Sequence, residues 1–173
     1  YQYDEKNNRA ITRLSKMVEK NCYNFSCHID RKDVMWIVTS YSVKGYRTRD
    51  LKLIAQSPVQ SYPIASFLLD GHQLYISGYN GMQLFDTDTR KWQHLPAALQ
   101  GLQIPNDMVS SIHPYGAKGN LLLSTTKHGL LYFDAQEGTI LPQNDKNFPF
   151  KVPDMEVNKM LTDSKGNLWL GSE

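Results

Sequence analysis

The chain's 173 residues are compatible with one domain, and its 40% hydrophobic, 21% charged and 11% aromatic content is that of a globular domain suited to sheet packing. A net charge of +2, with lysines and arginines scattered among acids, leaves no basic stripe for a nucleic acid. No apolar run approaches the ~18–20 residues of a membrane-crossing helix.

In chain order, Tyr1-Gln2-Tyr3-Asp4 reads as a strand closed by an acid, and Ala10 to Leu14 as the strand after it. Cys22 and Cys27 follow. In an extended segment they stand roughly 16 Å apart on opposite faces, against the ~7 Å a disulfide tolerates, so two free thiols are expected unless residues 23–26 turn tightly. Asn24-Phe25-Ser26 fits a glycosylation sequon, a match short enough to arise by chance.

From Asp30 onward one phrase returns with changes. It reads Asp30-Arg31-Lys32-Asp33-Val34-Met35-Trp36-Ile37, then Asp70-Gly71-His72-Gln73-Leu74-Tyr75-Ile76-Ser77, then Lys118-Gly119-Asn120-Leu121-Leu122-Leu123-Ser124. Its last form is Asp163-Ser164-Lys165-Gly166-Asn167-Leu168-Trp169-Leu170-Gly171-Ser172. The anchors Trp36, Tyr75, Leu122 and Trp169 are 39, 47 and 47 residues apart, a period that predicts a radial array of small sheets. A second phrase follows the first three copies: Gly45 to Asp50, Gly81 to Asp86 and Gly129 to Asp134. Its glycine is expected to open the strand with positive φ. A short run led by Val109-x-x-Ile112 or Val157-x-x-Met160 precedes the first phrase, and an apolar patch (Leu51 with Ile54, Trp92 with Leu95, Ile140 with Leu141) follows the second. Four short strands per unit make one blade of a β-propeller.

The predicted fold is therefore all-β, a propeller fragment of four-stranded antiparallel blades. It comprises a half blade at 1–20, whole blades at 22–57, 62–98 and 106–143, and a half blade at 155–173. The ends cut across the repeat, so a piece of a longer protein is expected. The two half blades expose edges and faces, which predicts either that they complete one blade between them or that copies self-associate as a homodimer.

Chemistry is sparse. The histidines His28, His72, His94, His113 and His128 fall in different elements, and no HExxH, Cys-His pair, nucleophile elbow or phosphate-cradling loop is present. Asp163-x-Lys165-Gly166-Asn167 has too few acids for calcium, and Asp86-x-Asp88 reads as a strand-end turn. No catalytic residue, metal site or cofactor is predicted.

The string Val157 to Ser172, the lead-in Pro105 to Ile112 and Gly129 to Asp134 resemble the two-component regulator propeller repeat. Departures sit at turns and packing positions: Tyr75 and Leu122 replace the usual tryptophan, the 62–98 copy has a shortened turn, Tyr115-Gly116 stands where an Asp is usual, and Asp33-Val34 stands where Gly-Asn is usual. The resemblance implies the N-terminal periplasmic sensor of a hybrid histidine kinase, anchored in the inner membrane, responding to polysaccharide-derived oligosaccharides and itself not an enzyme. It also implies that repeated residues pack blades, making Trp36, Tyr75 and Trp169 core residues, while ligand contacts lie in loops. The loops joining second to third strands and blade to blade are expected on one face, where Tyr41, Tyr79, Asn80, Lys127 and His128 are the candidate ligand-binding residues. A propeller lyase and a non-binding scaffold for dimer contacts are the alternatives. Neither nucleic acid nor membrane is expected to touch this segment.

Overall fold

The computed structural model describes residues 2–4, 6, 9–11, 22, 25–79, 81–100, 102, 108–152, 155 and 157–172. It is an arc of a β-propeller. Three antiparallel four-stranded meanders hold β3 (Phe25–Ile29), β4 (Val34–Thr39), β5 (Ser42–Arg47) and β6 (Leu53–Pro58); β7 (Pro63–Leu69), β8 (Gln73–Gly78), β9 (Gly81–Asp86) and β10 (Lys91–Gln93); and β11 (Val109–Pro114), β12 (Leu121–Thr125), β13 (Leu130–Asp134) and β14 (Thr139–Pro142). Two further hairpins, β1 (Gln2–Asp4) with β2 (Arg9–Ile11) and β15 (Lys159–Thr162) with β16 (Leu168–Gly171), are separate two-stranded sheets. Among the described residues, they do not join into one blade.

The first strand of each sheet lies innermost. β7 packs against β3 on one side and β11 on the other, and β11 packs against β15. Blades thus stack face to face about an axis, and three apolar interfaces hold them. Val34, Trp36, Val38, Val43, Leu74, Ile76 and Phe85 fill the first. Tyr75, Leu84, Leu99, Ile112, Leu121 and Phe133 are prominent in the second, and Leu122, Leu130, Tyr132, Phe148 and Val157 in the third. Leu99 belongs to a four-residue helix, α1 (Ala97–Gln100), in a link that the sequence showed only as a loop. Stacking on both sides explains why the middle strands are near-continuous apolar runs rather than alternating ones. β12 is buried at every position and β8 at all but its first, while the outer strands β6, β10 and β14 stay largely accessible.

Two expectations need correction. Gly45 does not open a strand. It lies inside β5 directly opposite Trp36, in the slot that Leu84 fills opposite Tyr75 and Tyr132 opposite Leu122. Gly81 and Gly129 do take positive φ, at 94° and 70°. At Gly45 the reason for glycine is space, since an added Cβ would meet the Trp36 ring at 2.9 Å. The cross-strand pairs thus exchange volume: Trp with Gly, Tyr with Leu, Leu with Tyr.

Trp169, expected in the core, is 61% exposed, while its counterparts Trp36, Tyr75 and Leu122 are all buried. β16 alternates between accessible and half-buried because Leu168 and Leu170 face the third blade and Trp169 faces away from it. Among the described residues no sheet covers that side, and Leu161, its partner across the hairpin, is exposed with it.

Neither cysteine forms a disulfide, as the spacing suggested, with Cys22 half-buried and Cys27 exposed. No helix of the described residues is long and apolar enough to cross a membrane.

Candidate functional site

Each turn between a second and a third strand is braced by its own sequence. The Thr39 hydroxyl accepts the amides of Tyr41 (3.2 Å) and Ser42 (3.1 Å) and donates to the Ser42 carbonyl. Thr125 repeats the device, accepting the His128 amide at 2.9 Å and donating to the Gly129 carbonyl at 3.0 Å. In the middle blade the turn has two residues between Gly78 and Gly81, which pair directly. Such closed turns lift their tips off the sheet. Tyr41 (54%) and Tyr79 (62%) are exposed there, as are Lys127 and His128. Asn80 lies outside the described residues.

The interblade links run beside these turns, so one face gathers both kinds of loop as expected. The Val59 amide donates to the Tyr41 carbonyl (3.1 Å), and the Thr126 amide to the Met108 carbonyl (3.2 Å). A Cβ on Gly78 would meet Ser61 Oγ and the Tyr62 carbonyl at 2.6 Å, so the link and the turn touch. Gln83, buried in β9, clamps the same link, accepting the Gln60 amide at 2.8 Å and donating to the Ser61 carbonyl at 3.3 Å.

This face pairs Tyr79 with a residue not named as a candidate. The Tyr62 and Tyr79 rings lie 5.9 Å apart at 49°. Tyr62 was legible only as an aromatic at the end of the loop from Pro58. Further round the arc, His128 lines an open cleft of about 720 Å³ together with the apolar Leu102, Leu131, Ile140 and Val152 and the polar Gln143 and Asn144. Gln143 is fixed there, its side-chain oxygen accepting the Leu130 amide at 2.9 Å. Lys127 is not among the cleft-lining residues.

The opposite face carries the repeated aspartates, and the bonds of Asp30 and Asp163 are structural. Asp30 accepts the amides of Lys32 (2.8 Å) and Val34 (3.0 Å) and the Trp36 indole N–H (2.7 Å). Asp163 repeats this bond for bond with Lys165 (2.9 Å), Asn167 (2.9 Å) and Trp169 (3.0 Å), and adds the Asn167 side-chain amide. These donors, the Trp169 indole foremost, hold the Asp163 carboxyl down at about 2. Asp33 (φ 57°) and Gly166 (φ 82°) take the same left-handed position in the two turns, which is how Asp33 substitutes for glycine. Asp88 pairs with Lys32 (2.8 Å) and Arg31 across to the preceding blade, and both cations lower its carboxyl.

Between blades, polar bridges recur on the inner strands. His28 Nε2 lies 2.7 Å from Ser66 Oγ, and His113, in the matching slot, lies 2.7 Å from Thr162 Oγ1. Burial pushes both imidazoles below their usual range. Ser77 donates to the Val109 carbonyl of the next blade (2.7 Å), and Ser124 donates likewise to that of Val157. Among the described residues, no group of three His, Cys, Asp or Glu is placed to hold a metal ion.

Residues 151–173 match the family described as the two component regulator propeller, so the chain carries a repeat of that type. No curated protein matches the chain. Among solved structures, the extracellular domain of BT3049 from B. thetaiotaomicron, described as a hybrid two component system, is similar at 16% identity and a TM-score of 0.63, over 93% of this chain and 23% of that one. The extracellular domain of BT4673 from the same organism is similar at 15% identity and a TM-score of 0.46, over 81% of this chain and 25% of that one. The chain thus spans about a quarter of the length of these domains. At such identity the BT3049 likeness establishes the propeller fold.

Proposed function

We propose that the chain is part of the ligand-sensing, extracytoplasmic propeller of a hybrid two-component sensor. In this reading it meets polysaccharide-derived oligosaccharides in the periplasm and passes the signal to a histidine kinase in the same inner-membrane protein. The observation that carries it is the two component regulator propeller repeat at 151–173, whose Asp163 turn is reproduced bond for bond at Asp30. In this reading the segment binds rather than catalyses: Asp30 and Asp163 are committed to amide and indole donors. Its accessible aromatic and polar residues, Tyr41, Tyr79, Lys127 and His128, stand on the loop face.

Densely packed blades have little room to deform, so the signal would travel as a shift between paired sensors of a homodimer. The test uses the intact sensor and a kinase-dependent reporter, with a panel of plant and host polysaccharide digests as inducers. Induction by one digest, lost in Tyr79→Ala or His128→Ala at unchanged protein level, is expected. Silence with every digest, or turnover of a digest by the purified protein, would overturn the reading.

A further inference from the structure

Resting on the sensor reading, we propose that Tyr62 and Tyr79 form an open stacking platform for the face of an internal pyranose unit of an uncharged glycan chain. The rings are 36% and 62% exposed, and both come from the loop face. Their 5.9 Å separation at 49° is too small to admit a sugar between them, because a ring sandwiched by two others needs about 7–8 Å, two van der Waals layers of 3.5–4.0 Å. The sugar therefore lies across the outward faces. Such a platform does not enclose a chain end, so it takes units from the middle of a chain.

The link that carries Tyr62 is tied down. Gln83, 6% exposed, spends both ends of its amide on the backbone at Gln60 and Ser61, and the Tyr41 carbonyl fixes Val59. Gly78 lets the strand end press against Ser61 and the Tyr62 carbonyl with no side chain between. A link whose backbone is already held by buried bonds loses little entropy on binding. The polar groups on the link are an amide and a hydroxyl, Gln60 and Ser61, suited to sugar hydroxyls. Neither supporting segment, 53–69 or 71–85, contains an Asp, Glu, Lys or Arg, so a uronate or sulfate finds no cation on them.

The test is titration calorimetry on the full chain. The probes are neutral hexasaccharides (β-1,4-glucan, β-1,4-xylan, β-1,4-mannan and α-1,4-glucan), a hexauronate, a sulfated hexasaccharide and a proline decamer. Binding of at least one neutral hexasaccharide is expected, weakened tenfold or more by Tyr62→Ala and by Tyr79→Ala and changed less than twofold by Tyr62→Phe. Matching urea midpoints for the variants exclude misfolding. Neutral binding unmoved by both alanine variants, or binding of charged glycans alone, overturns the platform and leaves glycan sensing standing. Binding of the proline decamer alone, or of no probe, overturns the platform, and the reporter assay then judges the sensor reading separately.

Discussion

Gly45→Ala puts the packing of the first blade to a direct test. An alanine Cβ at this position would stand 2.9 Å from two carbons of the Trp36 ring and 3.2 Å from a third. The ring has nowhere to retreat. It is fully buried, meets Phe85 edge-on at 5.3 Å, and its N–H is bound to Asp30. Overpacking a dense core by one methyl group costs about 1–3 kcal/mol. Replacing a strand glycine by alanine returns about 0.5–1 kcal/mol through a less flexible unfolded chain. The difference spans about 0–2.5 kcal/mol and centres on a loss of roughly 1 kcal/mol. With a urea slope of about 2 kcal/mol/M, the midpoint falls by roughly 0.5 M. In a Trp36→Leu background the same substitution should be neutral or stabilising, giving a coupling of about 1 kcal/mol or more in the double-mutant cycle. An unchanged or raised midpoint for Gly45→Ala in the native background would refute the volume exchange between the facing slots.

Asp30→Ala strands two amides and a buried indole N–H and should lower stability by about 2–4 kcal/mol, whereas Asp163→Ala, in an accessible turn, should cost clearly less; urea unfolding of both variants decides, and equal losses would contradict the assignment. His28 and His113 have lowered imidazole pKa values in the fold, so their neutral forms are favoured there. Their contribution is fully present above the unfolded value near 6.5 and is lost as pH falls from there through the folded values; a His28→Asn/His113→Asn variant should flatten the urea midpoint against pH below 6.5, and an unflattened profile would count against burial as the cause. Trp169 should supply the larger share of the quenchable, red-shifted tryptophan emission and half-buried Trp92 the rest, so Trp169→Phe should reduce the acrylamide-accessible fraction while Trp36 remains shielded. Without reductant, thiol titration of the denatured chain should find two free groups, and a count of zero would show a bond between Cys22 and Cys27.

Strand, turn and blade were legible in the residues because the bonds that make them are local. A hairpin closes through amides and side chains a few positions apart, as Asp163 shows by binding Lys165, Asn167 and Trp169, and a phrase repeated at that spacing declares the blade. The loop face was legible for the same reason, since antiparallel meanders send alternate turns to opposite ends. Three features were settled only by stacking. Gly45 looked like a turn glycine, yet the two-residue turn ends at Ser42, which takes the slot of Gly81 and leaves Gly45 three positions on, opposite Trp36, where a neighbouring ring dictates its size. Trp169 stands at the same spacing from its bonded Asp as Trp36 but lacks a sheet on its outward side among the described residues, and burial belongs to whatever packs there rather than to the residue. Tyr62 and Tyr79 belong to different elements, and they meet at 5.9 Å where a buried glutamine and the close approach at Gly78 tie the link to the strand. Sequence sets the local bonding of each blade; contacts between blades depend on how separate sheets come to lie against one another, which no short-range pattern records.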